Sequence, residues 1–137
     1  MKTRQVLAIA LVLAATGCWR AAATPYAEFD QYAIGYTHSI EFAQQRVMPL
    51  PQCGPSCDAF IVAFIERSNP IVDAGDVVAA KFKCHDDQAK GLRPAGAEPC
   101  PAIVEGDPFI LELGLETARA ARRQLEAYLL TQGVLLQ

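Results

Sequence analysis

The residues best suited to chemistry are Cys53, Cys57, Cys84 and Cys100 and the polar groups beside them. Cys53-Gly54-Pro55-Ser56-Cys57 invites comparison with thiol–disulfide redox sites, whose two cysteines are separated by two residues at a helix start that stabilises a thiolate. Here three residues intervene, no tryptophan precedes them and no strand–helix alternation surrounds them, so structural cystine is expected. Cys84-His85-Asp86-Asp87 contains metal-ligand residue types. Consecutive side chains cannot all converge on one ion, however, and no spaced second half of a site follows, so a solvated acidic run is expected and no metal. His38-Ser39 pairs a base with a nucleophile, yet helix neighbours point about 100° apart. No Gly-x-Ser-x-Gly turn or phosphate-cradling glycine loop is present either. No catalytic residue and no cofactor are expected, and the chain reads as a protein that is not an enzyme.

The amino terminus has the layout of an export signal. Lys2 and Arg4 precede an apolar run over residues 6–15, followed by small residues. That run is far shorter than the roughly 20 residues of a membrane-spanning helix. Ala15-Thr16-Gly17-Cys18 resembles the lipobox of bacterial lipoproteins, in which the cysteine is acylated and becomes the first residue; Ala15 stands where leucine is usual. Ala21-Ala22-Ala23 also satisfies the small-residue rule of ordinary signal peptidase. The lipoprotein cut is favoured: residues 1–17 as signal peptide, 18–24 as tether and 25–137 as a helical domain. Trp19 follows the cysteine where Asp would be a retention signal, which implies passage to the outer membrane. Localisation is thus expected in the periplasm, with membrane contact only through a lipid at Cys18.

The elements that position the cysteines are read from periodicity. Thr24-Pro25 opens a helix, and Tyr26, Phe29, Ala33, Tyr36, Ile40, Ala43 and Val47 form one apolar face opposite Glu28, Gln31, His38, Gln45 and Arg46. Met48-Pro49-Leu50-Pro51 ends it. Ser56 is the expected cap of a second helix carrying Cys57, Phe60, Ile61, Phe64 and Ile65, with Asn69-Pro70 as its stop. Asp73 with Asp76 opens a third segment. Its residues fit a helix through Val77, Val78 and Phe82 and also alternate as a strand would; helix is chosen because no second strand is evident for pairing. Residues 85–107 lack a period and are long for a connection. Asp107-Pro108 opens the last helix, with Ile110, Leu113, Thr117, Ala121, Leu125 and Tyr128 inward, and Gly133 ends it. The expectation is an all-α fold: a small four-helix domain with one long disulfide-pinned loop.

Four cysteines remain after Cys18 is set aside, an even number that suits an exported chain. If the second and third helices pack as a hairpin about residues 69–72, Cys57 and Cys84 meet at one end. That pairing leaves Cys53 for Cys100, which would tie down the long loop. Loss of Lys2 and Arg4 with the signal leaves ten basic against fifteen acidic residues, a net charge of −5. An acidic surface gives no footprint for nucleic acid. It would steer a basic protein partner, and Asp86, Asp87, Glu98 and Glu105 on the loop are the candidate partner-binding residues.

Two stretches carry a family likeness. Tyr32-Ala33-Ile34-Gly35-Tyr36 and Ile71-Val72-Asp73-Ala74-Gly75-Asp76-Val77-Val78 resemble segments of small helical immunity proteins that protect the periplasm against type VI secretion cell-wall amidases. The resemblance implies a binding protein that neutralises a secreted hydrolase effector. Residues 53–69, between the two stretches, are longer than that family's pattern. The alternative is a pilotin-like lipoprotein assisting outer-membrane secretin assembly, since pilotins are also short, acylated, helical and disulfide-bonded, and take a partner helix in a groove. A periplasmic acid-stress chaperone matches the size and helicity but not an acyl anchor.

Overall fold

The structure is a computed structural model and describes residues 25–133. The signal, the Cys18 site and the tether expected from the sequence lie outside the described residues. Helix α1 spans Pro25–Phe42 and continues through one π-helical turn, Ala43–Val47. Helix α2 spans Pro55–Ala89 and α3 spans Asp107–Thr131. No strand occurs among the described residues, and no described helix is long and apolar enough to cross a membrane. The fold is all-α, as expected, with three helices where four were anticipated.

The difference lies at Pro70. The expected turn at residues 69–72 does not form, and α2 runs through Pro70 as one 35-residue helix. An interior proline removes a hydrogen bond and costs about 3 kcal/mol. Packing on both sides of α2 offsets that cost. Its buried stripe continues across the proline through Ile61, Phe64, Ser68, Val72, Gly75 and Val78. Beside the proline, the Tyr36 hydroxyl of α1 donates to Asn69 Oδ1 at 2.6 Å. Segment 74–84 is helical, as chosen.

Helix α2 is antiparallel to both neighbours. Tyr26 and Tyr36 of α1 reach Asp86 and Asn69 of α2 in reversed order. Lys81 and Phe60 of α2 likewise meet Asp107 and Tyr128 of α3. At the centre, α2 and α3 cross on glycines: a Cβ on Gly75 would lie 3.1 Å from the Gly114 Cα and 2.6 Å from Cε2 of Phe29. Phe29, fully buried, is the wedge that α1 contributes to this crossing.

The apolar face read for α1 is the buried one. The face read for α3 is partly misplaced. Leu111, Gly114, Ala118, Ala121, Leu125 and Leu129 are buried, whereas Leu113 is exposed. After Leu111, small residues carry the first turns of that interface because the backbones approach closely there, and a face drawn through Ile110, Leu113 and Thr117 passes beside them. Ser56 is not the cap of α2; Gly54 holds that position and Pro55 opens the helix.

Candidate functional site

The continuous α2 overturns the nested disulfide pairing. Cys57 and Cys84 sit near opposite ends of one helix, about 40 Å apart at 1.5 Å per residue. Cys53 instead pairs with Cys57, and Cys84 with Cys100, at Cα separations of 5.0 and 5.8 Å. The first bridge staples the turn before α2 to its opening turn. Both of its cysteines are buried, a poor setting for thiol exchange, which needs an accessible sulfur. The second bridge closes the long loop onto the end of α2, so the loop is pinned, but by a local clasp.

That loop is shorter than the aperiodic run suggests, because α2 continues to Ala89. Gly91, at φ 68°, ends the helix in the left-handed conformation. Its N–H donates to the Gln88 carbonyl and the Leu92 N–H to that of Asp87. The connection then covers residues 90–106. Side-chain contacts hold it as well. Cys100 is bonded to Cys84, and His85 Nε2 meets the Pro101 carbonyl at 2.7 Å, an arrangement in which the imidazole donates. Arg93 donates to the Glu98 carbonyl. Asp107, almost fully buried, accepts from the Val104 N–H at 2.9 Å and from Lys81 Nζ at 3.0 Å. The Val104 N–H first, and Lys81 with it, hold the Asp107 carboxyl below the ordinary carboxylate range.

The four acidic residues expected to bind a partner divide. Asp86 is spent internally, accepting from Lys90 Nζ at 2.8 Å and from the Tyr26 hydroxyl, so it clasps the end of α2 to α1. Lys90 and then Tyr26 draw its carboxyl below the usual range. The carboxylates of Asp87, Glu98 and Glu105 form no ion pair among the described residues, and the two glutamates are exposed. Pattern reading missed the apolar residues here. Leu92 (68% exposed), Val104 (55%) and Phe109 (67%) stand in solvent at this end of the bundle, with Ile103 beside Val104. For Leu92, Ile103 and Val104 the signal was available: large apolar residues inside a stretch with no core-facing period have no core to fill.

The other constellations are committed to structure. Ser39 Oγ donates to the Gly35 carbonyl at 2.8 Å while His38 faces solvent. In the run from Cys84 to Asp87, the cysteine is oxidised and His85 and Asp86 have the partners given above. No group of three His, Cys, Asp or Glu residues is placed to hold a metal ion among the described residues. The two stretches that carry the family likeness are brought together: Ala33 and Ile34 of the first line one groove with Val72, Asp73 and Asp76 of the second. No protein-family model, curated protein or solved structure matches the chain.

Proposed function

We propose that the protein binds and neutralises a protein partner in the periplasm, as an immunity protein or inhibitor of a cell-wall-targeting toxin, with the 90–106 loop end as its contact surface. The observation that carries this reading is a disulfide-clasped end of the bundle at which Leu92, Val104 and Phe109 are exposed, as are Glu98 and Glu105, which form no ion pair among the described residues. Large apolar side chains ringed by polar groups are the usual anchors of protein interfaces. Because a disulfide and the Asp107 contacts already order the loop, little entropy is lost on docking. The carboxylates favour a basic partner through encounter rate and register. The meeting of the two immunity-like stretches across the α1–α2 interface also supports the reading.

On this reading the protein performs no reaction and needs no cofactor, and a lipid at Cys18 holds it to the outer membrane. Intact mass of membrane-extracted protein tests the anchor: a chain beginning at Cys18 with acyl groups is expected, and a soluble chain beginning at Thr24 would refute it. The binding test first asks whether a neighbouring gene encodes a cell-wall hydrolase and then uses that product. Leu92→Ser with Phe109→Ser, and separately Asp87→Asn with Glu98→Gln and Glu105→Gln, are expected to abolish co-purification and protection from lysis at unchanged melting temperature. Undiminished binding by both variants removes the loop end from the mechanism. Absence of a neighbouring hydrolase, or no protection by the unaltered protein, removes the immunity reading.

A further inference from the structure

A groove of about 380 Å³ lies between the last third of α2 and the first turns of α3, lined by Phe82, Pro108, Leu111, Glu112 and Leu115. Its walls are hydrocarbon apart from Glu112, the single charge that lines it. Glu112 is exposed and forms no ion pair among the described residues. The cations on either side of Phe82 in sequence do not compensate it: Lys81 is bonded to Asp107 at 3.0 Å, and Lys83 forms no ion pair among the described residues. The groove also adjoins the loop end. Pro108 follows Asp107, whose carboxylate accepts from the Val104 N–H, and precedes the exposed Phe109. This combination narrows what can fill it. An aliphatic or aromatic occupant would suit the walls but strip water from an unpaired carboxylate, which is costly without a compensating bond. A small cation would pair with Glu112 and leave the walls in water. A side chain with a hydrocarbon stem and a charged head meets both demands. Of the two such residues, arginine is the more weakly hydrated. It can meet a carboxylate with two parallel bonds and stack on an aromatic ring such as Phe82.

We propose that this groove takes an arginine side chain of the protein partner, with its stem against Phe82, Leu111 and Leu115 and its guanidinium on Glu112. On the reading of the loop end as a partner-binding surface, on which this assignment rests, the groove adds the chemistry of one contact. The partner must then present an arginine beside whatever covers Phe109, which is a positional requirement and not merely a basic net charge.

N-acetyl-arginine amide probes the groove without the partner. Titrated into the unaltered protein with methyl-labelled leucines, it is expected to shift the Leu111 and Leu115 methyl resonances saturably. N-acetyl-citrulline amide, of nearly the same shape but uncharged, should bind several-fold more weakly. The arginine amide should be weakened to a similar degree by Glu112→Gln. Because Glu112 is exposed and has no ion pair to lose among the described residues, that variant should keep the parent's helical circular dichroism and melting temperature. No shift of either methyl overturns the proposal. Citrulline binding equal to arginine overturns it too, as does equal affinity of Glu112→Gln and the parent for the arginine amide. In a complex with the partner, Glu112→Gln should lower affinity several-fold, and an unchanged affinity would likewise overturn the assignment. The two readings fail separately, since the amide titration requires no partner, whereas the loop-end reading falls on undiminished binding by its own variants.

Discussion

The glycine crossing at Gly75 and Gly114 and the loop end between Cys84 and Asp107 are held by opposite means. At the crossing, two backbones lie so close that no Cβ fits, and a fully buried phenylalanine fills the angle between them. The side chain at the contact is apolar and the fit is one of shape, with the Glu28–Arg119 ion pair between α1 and α3 next to it. At the loop end almost nothing is buried. One disulfide, the Gly91 turn, His85, Arg93 and one buried carboxylate fix a segment whose apolar side chains point outward. Shape complementarity stabilises what must stay closed to water, whereas discrete bonds can order a surface that must stay open to it.

The largest expected effects are at the crossing. Phe29→Ala should cost about 3–5 kcal/mol, the usual range for emptying a fully buried aromatic site. Gly75→Val should fall at or above the upper end of the roughly 1–3 kcal/mol typical of overpacking, because the Gly114 backbone has no rotamer with which to yield. Urea unfolding followed by circular dichroism measures both. A cost below about 1 kcal/mol for Gly75→Val would show that the helices can separate at little expense, contrary to the closed-shape account.

This contrast also explains what could be read from the residues alone. The α1 face was legible because it is a long stripe of large side chains at unbroken helical spacing. The α3 face was legible only in its second half, since Gly114 and Ala118 form the first half and a pattern of large apolar residues passes over them. Pro70 misled because propensity is local, whereas the contacts that offset its cost come from Tyr36 on another helix. The disulfides followed that error: once α2 is one rod, Cys57 has no neighbour but Cys53. At the loop end, the charge pattern does not separate a carboxylate already engaged within the fold from those without an ion pair among the described residues. Asp86 reads like Asp87 and Glu98, and only the fold shows that Tyr26 and Lys90 already hold it.

The two disulfides give the next effect in size and separate the regions. Restricting the unfolded chain favours the longer closure: about 3 kcal/mol for the Cys84–Cys100 loop and about 2 kcal/mol for the Cys53–Cys57 loop. Cys100→Ser should therefore lower global stability more than Cys53→Ser. It should also speed amide exchange across residues 92–104 while leaving the α2–α3 crossing protected. Equal exchange in both regions would mean that the loop end and the crossing unfold as one unit. Disulfide mapping after non-reducing digestion is expected to return a Cys53–Cys57 peptide.

Acid should distinguish the regions by a smaller margin. The carboxyls of Asp107 and Asp86 are both held below their ordinary value of 3.8. A depressed carboxyl contributes stability that is fully present above the unfolded value and lost as pH falls through the folded one. Protection of the Val104 amide should thus be flat from pH 7 to about 4 and decline below it. The crossing has no titrating group of its own. Farther along the α1–α2 interface, burial raises the Tyr36 hydroxyl above its ordinary value of 10.0; a raised group contributes stability below the unfolded value, so the contribution of Tyr36 is lost only in alkali. Loss of Val104 protection near neutral pH would mean that Asp107 does not hold the loop.

The smallest effect on stability should accompany the largest effect on binding. Leu92, Phe109, Glu98 and Glu105 are exposed and lie outside the core, so Leu92→Ser, Phe109→Ser, Glu98→Gln and Glu105→Gln should each change unfolding free energy by no more than about 0.5 kcal/mol. Exposed apolar side chains lose little on unfolding because they are already in water, and an unpaired surface carboxylate has no partner to abandon. In a complex both conditions reverse: the side chains leave water and the carboxylates acquire partners. Phe109→Ser, which removes the largest of these groups, should weaken an interface centred on it by at least about 2 kcal/mol, the threshold of an anchor residue. Asp86→Asn is the internal control, since it removes the charge that pairs with Lys90 and weakens the hydrogen bond from Tyr26, and should lower the melting temperature before it touches any partner. If Phe109→Ser lowers the melting temperature as much as Asp86→Asn does, the exposed end is part of the protein's own packing. The distinction between a closed body and an open binding end would then fail.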